Sequence, residues 1–456
     1  MVNIQQTDNP EAALDLWLAE ASERDQVLAV EYEYSQYYLS GAPYIRLLAL
    51  FCQIGGRLYF SVAESCQSLH RQLQGTNVSQ EGVSLDEFQA FAQLNSFPVL
   101  SLSGPLLLQA VSIEKPWGQE LWFTGIEERG VSRVTDGFFS TPLSWVLSVA
   151  PRRLTANCEQ QINLLKILDP LPEEVYGDLY FELHEEKREV YVVTHIDRDA
   201  WPDGVGAIRY GFNPEVKSTY SCDEAFRADY LEAVHNYQTV RRDLDSQIDL
   251  LRHKEGIEPS APVAAKIMKS WMSRLPEQLV DEEKNLREIM NAFTELLPLK
   301  EGDVVKVPLL TPHALQHGVR TVEFQTPVYE RMILSFAQKV LTQKHWDTEQ
   351  AMKVAAVTTP VMPELSVLEN TVSYQLEQVV KFEDFQVLRL TLSPGADYNL
   401  SQTQCYGLLL VVDGEVDCSG ASIAKECALL LSAERPELCI TNSMERESVV
   451  LLASPM

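Results

Sequence analysis

The chain has 456 residues, 45% of them apolar, which at about 100–200 residues per domain suggests two to four domains with sizeable cores. Asp and Glu number 65 against 37 Lys and Arg, a net charge of −28. A surface that acidic repels nucleic-acid phosphates and anionic lipid, so neither is an expected partner.

Residues 1–23 contain neither a basic segment nor an unbroken apolar stretch. The longest apolar runs, such as 407–412, fall far short of the roughly 20 residues of a membrane-spanning helix. The eight cysteines form no CxxC pair, which reads as reduced thiols in a cytoplasmic protein and not as thiolate-bound structural zinc.

Residues 1–97 read as a mixed α/β covering segment without a chemical motif. A helix is expected over 11–23, after Asn9-Pro10, and strands over 27–34 and 59–62. A second helix is expected over 84–94, with Ser84 as its cap and Glu87 three residues on. From 98 to 183, short apolar runs broken by Gly, Pro and Ser predict strands and turns. Residues 222–300 change to a charged helical insertion of two or three helices, 223–253 and 262–297, the latter broken at Pro276. Its apolar stripe is Tyr230, Val234, Tyr237, Val240, Leu244 and Ile248. Strands are expected at 303–308 and 320–325, a helix at 348–357, and a Pro-rich linker at 358–363. Residues 364–456 read as a small all-β domain, with Asp413-Gly414 as a hairpin turn.

Two segments carry chemistry. In Gly177-Asp-Leu-Tyr-Phe-Glu182-Leu-His184, Glu182 and His184 are two apart, so on a strand they share a face. Glu189 follows after four residues, enough for a turn into a returning strand; that hairpin gathers three donors. Residues 185–189 are also a charge run of the kind that forms a solvated hairpin tip. In the second segment, Gly302 to Val307 ends in a Pro308-bearing turn that presents His313. Two carboxylates and two imidazoles suit Zn²⁺, with Mn²⁺, Fe²⁺, Co²⁺ or Ni²⁺ as alternatives.

These spacings resemble the two cupin motifs, with Leu310 standing where the second motif usually has glycine. A narrower resemblance is to type I mannose-6-phosphate isomerases. Lys115-Pro-Trp-Gly-Gln-Glu-Leu-Trp122 is similar to their KPWGGELW segment. Glu182-Leu-His184, Lys187-Arg-Glu189 and Pro312-His313-Ala314 resemble their QxH, KxE and PHA zinc segments, and residues 322–331 and 345–354 resemble later stretches. The resemblance covers roughly residues 100–456. It implies a mainly β fold with a helical insertion: a metal-binding cupin (double-stranded β-helix or jelly-roll) barrel from 98–221 and 301–357, an α-helical domain at 222–300, and a metal-free cupin-like C-terminal domain at 364–456. It implies an aldose–ketose isomerase acting on a sugar or sugar phosphate through a cis-enediol. Glu182, His184, Glu189 and His313 then hold zinc, Lys187 and Glu323 are the acid/base candidates, and Arg331 anchors transition-state charge or substrate phosphate.

Four features depart from the family. Glu182 replaces a glutamine, and Tyr180 replaces a serine that contacts phosphate. Residues 333–339 replace the segment after the family's YRLY, and the loop from His184 to Glu189 is short. All four bear on phosphate binding or substrate shape. Two other functions stay open: a sugar-binding or regulatory cupin without isomerase activity, and a metal-dependent cupin of other chemistry such as a dioxygenase.

Overall fold

The computed structural model describes residues 3–20, 27–75, 83–259, 261–341, 343, 345–362, 364–401 and 404–456. The end of the expected 11–23 helix and the last residue of the 358–363 linker lie outside them. The chain divides into two compact units, one of residues 1–111, 122–165 and 365–456, the other of 112–121 and 166–364. Both are mainly β. No described helix is long and apolar enough to cross a membrane.

In the first unit, strands Ile4–Gln6, Val27–Ser35, Tyr44–Ile54, Arg57–Glu64 and Leu100–Ser101 form one sheet in chain order. Leu69, Leu73 and Phe88 from two helices pack on Ala29, Leu48, Leu50 and Cys52 of that sheet. The helix Leu85–Leu94 starts with the expected capping box: Ser84 Oγ accepts from Glu87 N–H, and the Glu87 carboxylate accepts from Ser84 N–H. Ser84→Ala is expected to cost about 1 kcal/mol, read as a lower midpoint in chemical denaturation.

The C-terminal strands build a nine-stranded sheet that also takes in Pro105–Gln109, Arg133–Thr135 and Ser140–Pro142. Leu106 stands opposite Leu430 across more than 300 residues of sequence. Asp413-Gly414 is not a hairpin. Gly407–Asp413 belongs to the nine-stranded sheet and Glu415–Cys418 to a separate four-stranded one. The turn therefore passes the chain from one sheet to another, which local turn chemistry does not distinguish from a hairpin.

The second unit holds two open sheets. One runs Val304–Val307, Glu189–Ile196, Val319–Gln325, Leu164–Pro170, Gly118–Trp122, Val111–Lys115. The other runs Thr294–Leu299, Gly206–Phe212, His313–Leu315, Phe181–Leu183, Met332–Ser335. Tyr191 and Val193 of the first share a core with Ile208, Tyr210 and Leu315 of the second, so the apolar faces meet between the layers. The expected barrel is thus two facing sheets; among the described residues their edge strands do not pair to close it.

Helices Asp223–Lys254, Ala265–Met272 and Glu277–Asn291 cover this unit. The predicted stripe divides its work. Tyr230, Val234 and Tyr237 pack with Phe181, Leu183, Phe212 and Leu334 of the five-stranded sheet. Leu244 and Ile248 pack with Met268 and Trp271 of the next helix. The helical reading of 262–297 fails at its end, where Thr294–Leu299 is an edge strand with Leu297 opposite Ile208. Pairing at the sheet edge overrides helix propensity there, and an edge tolerates the missing N–H of Pro298.

Candidate metal centre

His184 follows the strand Phe181–Leu183, and Glu189 opens Glu189–Ile196 in the other sheet. Residues 185–188 are therefore a corner between layers and not the hairpin that the spacing suggests. The corner is tied down. Glu185 and Glu186 N–H donate to the Glu330 carboxylate at 3.0 and 3.3 Å, and Leu310 N–H donates to the His184 carbonyl at 2.8 Å. Glu185 and Glu186 face solvent while Lys187 and Glu189 are buried, so the charge run is only half a solvated tip.

His313 begins His313–Leu315 and stands opposite Glu182. The turn before it carries Leu310 at φ +64°, the left-handed region that favours glycine. Leucine thus takes a glycine-favouring conformation at the position where the cupin motif usually has glycine. Gly177, which opens the first motif, answers a different need: a Cβ there meets the Leu171 carbonyl and the His317 side chain.

Donor atoms of His184, Glu189 and His313 all lie within 4.8 Å of one another. The three residues are 1–3% exposed. Each imidazole is oriented by a backbone carbonyl: His184 Nδ1 lies 2.9 Å from Glu330 O, and His313 Nδ1 lies 3.0 Å from Thr311 O. A carbonyl only accepts, so each Nδ1 carries a proton and Nε2 is the ring atom turned to the centre. His184 Nε2 is buried and makes no hydrogen bond. His313 Nε2 lies 3.0 Å from Glu189 Oε2. A contact that short between a ring nitrogen and a buried carboxylate calls for a positive charge between them, a proton or a metal ion, so the donor set fits a cation.

Electrostatics agree. Burial, joined by the Lys187 ammonium, holds His184 below its ordinary range and keeps it neutral. Burial works to raise the Glu189 carboxyl, but the Lys187 ammonium leads the groups that outweigh it and hold it well below the usual range. Burial and then Glu189 push Glu323 well above the carboxylate range, against the pull of Lys166.

The other predicted residues surround this cluster. Glu182 Oε1 lies 3.8 Å from His184 Nε2, while its Oε2 lies 3.5 Å from Arg331 Nη1. Arg331 also stacks over Tyr180, Cζ 4.6 Å from the ring centre. Lys187 Nζ lies 2.6 Å from Glu189 Oε1. Glu323 stands opposite Tyr191 and pairs with Lys166 Nζ at 3.1 Å.

Sequence reasoning missed three residues. Tyr191 donates to Glu189 Oε2 at 2.6 Å and lies 3.1 Å from His313 Nε2. Lys166 is buried between Glu323 and Glu120, the latter 4.0 Å away, and Glu120 in turn meets Lys115 at 3.1 Å. The signal for Lys166 was present, as a single charge inside the apolar run Leu164–Leu168. Glu330 holds the corner, and only its tertiary position reveals that. A cavity of about 450 Å³ elsewhere in the unit, lined by Arg241, Asp245, Lys339 and Trp346 among others, includes none of the cluster.

No protein-family model and no curated protein matches the chain. Among solved structures, the mannose 6-phosphate isomerase from Bacillus subtilis superposes with a TM-score of 0.52 at 15% identity, over 77% of this chain and 99% of that one. A variant of the phosphomannose isomerase from Salmonella typhimurium gives 0.50 at 10% identity, over 77% and 99%. At such identities the likeness is one of architecture: this chain shares the fold of the mannose 6-phosphate isomerases.

Proposed function

We propose that the chain is a metal-dependent aldose–ketose isomerase acting on a sugar or sugar phosphate, with His184, Glu189 and His313 holding its cation. One observation carries this reading. Two imidazole Nε2 atoms turn onto one buried carboxylate, with Lys187 and Glu182 directly beside them. The fold supports it, since both superposed structures are mannose 6-phosphate isomerases.

Two imidazoles and a carboxylate suit zinc and leave room for another donor or a substrate oxygen. Glu182, beside His184, is the fourth candidate donor. When bound, the cation supplies Lewis acidity toward adjacent substrate oxygens. Isomerisation takes a proton from one carbon and returns it to its neighbour through a cis-enediol, so no group is oxidised or reduced overall. Glu323 suits the acid role, because burial and the Glu189 carboxylate raise its pKa and so favour its holding a proton that it can give. Lys187 is its partner in proton transfer. Arg331, held by Glu182 and Tyr180, offers a planar fork to a substrate oxygen or phosphate.

Protein purified without added metal is expected to carry about one zinc per chain by elemental analysis. It is expected to interconvert mannose 6-phosphate, or an unphosphorylated aldose, with the matching ketose. Chelation removes both properties and zinc restores both. Protein that takes up no zinc and turns over no sugar overturns the reading, in favour of a sugar-binding or regulatory cupin.

A further inference from the structure

Both oxygens of Glu189 are already engaged. Tyr191 donates to Oε2 at 2.6 Å, and the Lys187 ammonium lies 2.6 Å from Oε1. Oε1 is also the oxygen that faces His184, 3.5 Å from the Nε2 that makes no hydrogen bond. A cation held jointly by His184 and Glu189 through Oε1, the oxygen that faces His184, therefore competes with Lys187 for it. Glu189, His184 and Lys187 have side chains only 2%, 1% and 9% exposed, so water screens little of the repulsion between two positive charges there.

We propose that Lys187 is the resident counter-cation of Glu189 in the metal-free protein, and that a divalent cation displaces it on binding. The exchange rests on the metal site proposed above and gives it a second function: loading the site releases the ammonium to act on substrate. Tyr191 is the positioning residue that keeps Glu189 turned while its partner changes. A buried carboxylate without a counter-charge is strongly destabilising, and the exchange leaves Glu189 facing a positive charge in both states. The freed ammonium has carboxylates to move toward, since its charge already acts on Glu182 and Glu323.

Zinc affinity, measured by competition with a chromophoric chelator, tests this without reference to catalysis. Lys187→Gln removes the competing charge and is expected to bind zinc about tenfold more tightly. Lys187→Arg keeps the charge and is expected to stay within about twofold of the parent chain. Tyr191→Phe is expected to weaken binding by about 10–100-fold, the usual range for a residue that orients a ligand. Lys187→Gln binding zinc no more tightly than the parent chain overturns the exchange. Should that variant fail to fold without metal, zinc must restore its folding, and a chain that stays unfolded in saturating zinc overturns the exchange as well. Absence of zinc binding in the parent chain is a different result: it removes the metal site itself, and the exchange with it.

Discussion

Lys166→Met is expected to destabilise the metal-free protein by about 3–5 kcal/mol, the range for breaking a buried ion pair from one side. Lys166 is 10% exposed at its side chain and lies between Glu323, at 3.1 Å, and Glu120, at 4.0 Å. Burial alone lowers the Lys166 pKa, but Glu120, Glu323 and Glu189 outweigh it and hold the ammonium above its usual range. Methionine matches the length of the stem and removes the charge, leaving two buried carboxylates with Lys115 as the nearby cation. The loss is therefore mainly the cost of uncompensated charge and not of lost packing.

Two further variants separate these causes. Glu323→Gln combined with Lys166→Met removes both charges of the closest pair, and should recover a large part of the loss. Lys166→Arg keeps the charge but carries a wider head group into the same space. Denaturation midpoints of these proteins and of Glu323→Gln alone, with the slopes compared, give the coupling. A cost below about 1 kcal/mol for Lys166→Met would place the pair in the class of solvent-exposed ion pairs and refute a buried network.

The contrast between Lys166 and the proposed metal ligands shows how far this fold can be read in advance. His184, Glu189 and His313 follow from local order: a strand that alternates faces, then a short turn, then a proline-bearing turn that ends at a histidine. The groups that hold them do not. Tyr191 is opposite Glu323 because of the register between two strands 130 residues apart, which no local pattern encodes. The corner at 185–188 looks like a hairpin because four residues suffice for either, and only the sheet to which each flanking strand belongs decides between them. The long helix Asp223–Lys254 is legible because its stripe recurs over about five turns, whereas Thr294–Leu299 is too short for its period to compete with the preceding helical text. The pairing of Pro105–Gln109 with Ala428–Leu431 is settled by non-local contact alone.

His313→Ala is expected to weaken zinc binding by at least about a thousandfold and to abolish isomerisation. The whole free energy of a structural zinc site is about 10–16 kcal/mol, so the loss of one donor among three or four removes several kcal/mol. His313 is also the residue whose Nδ1 is fixed by Thr311 O and whose Nε2 meets Glu189 at 3.0 Å, so alanine removes an oriented donor that no neighbour replaces. Tyr191, the nearest hydroxyl, is committed to Glu189 Oε2 at 2.6 Å. The proper control is His317→Ala. His317 lies four residues further on, is similarly shielded, pairs with Asp178 at 2.7 Å and stacks on Trp201 at 4.8 Å. Its loss should lower stability and leave zinc content near that of the parent chain. Equal loss of zinc in both variants would mean that metal retention reports folding alone. Retention of zinc in His313→Ala would move the site away from His184 and Glu189, whose remaining donors hold a cation only weakly by themselves.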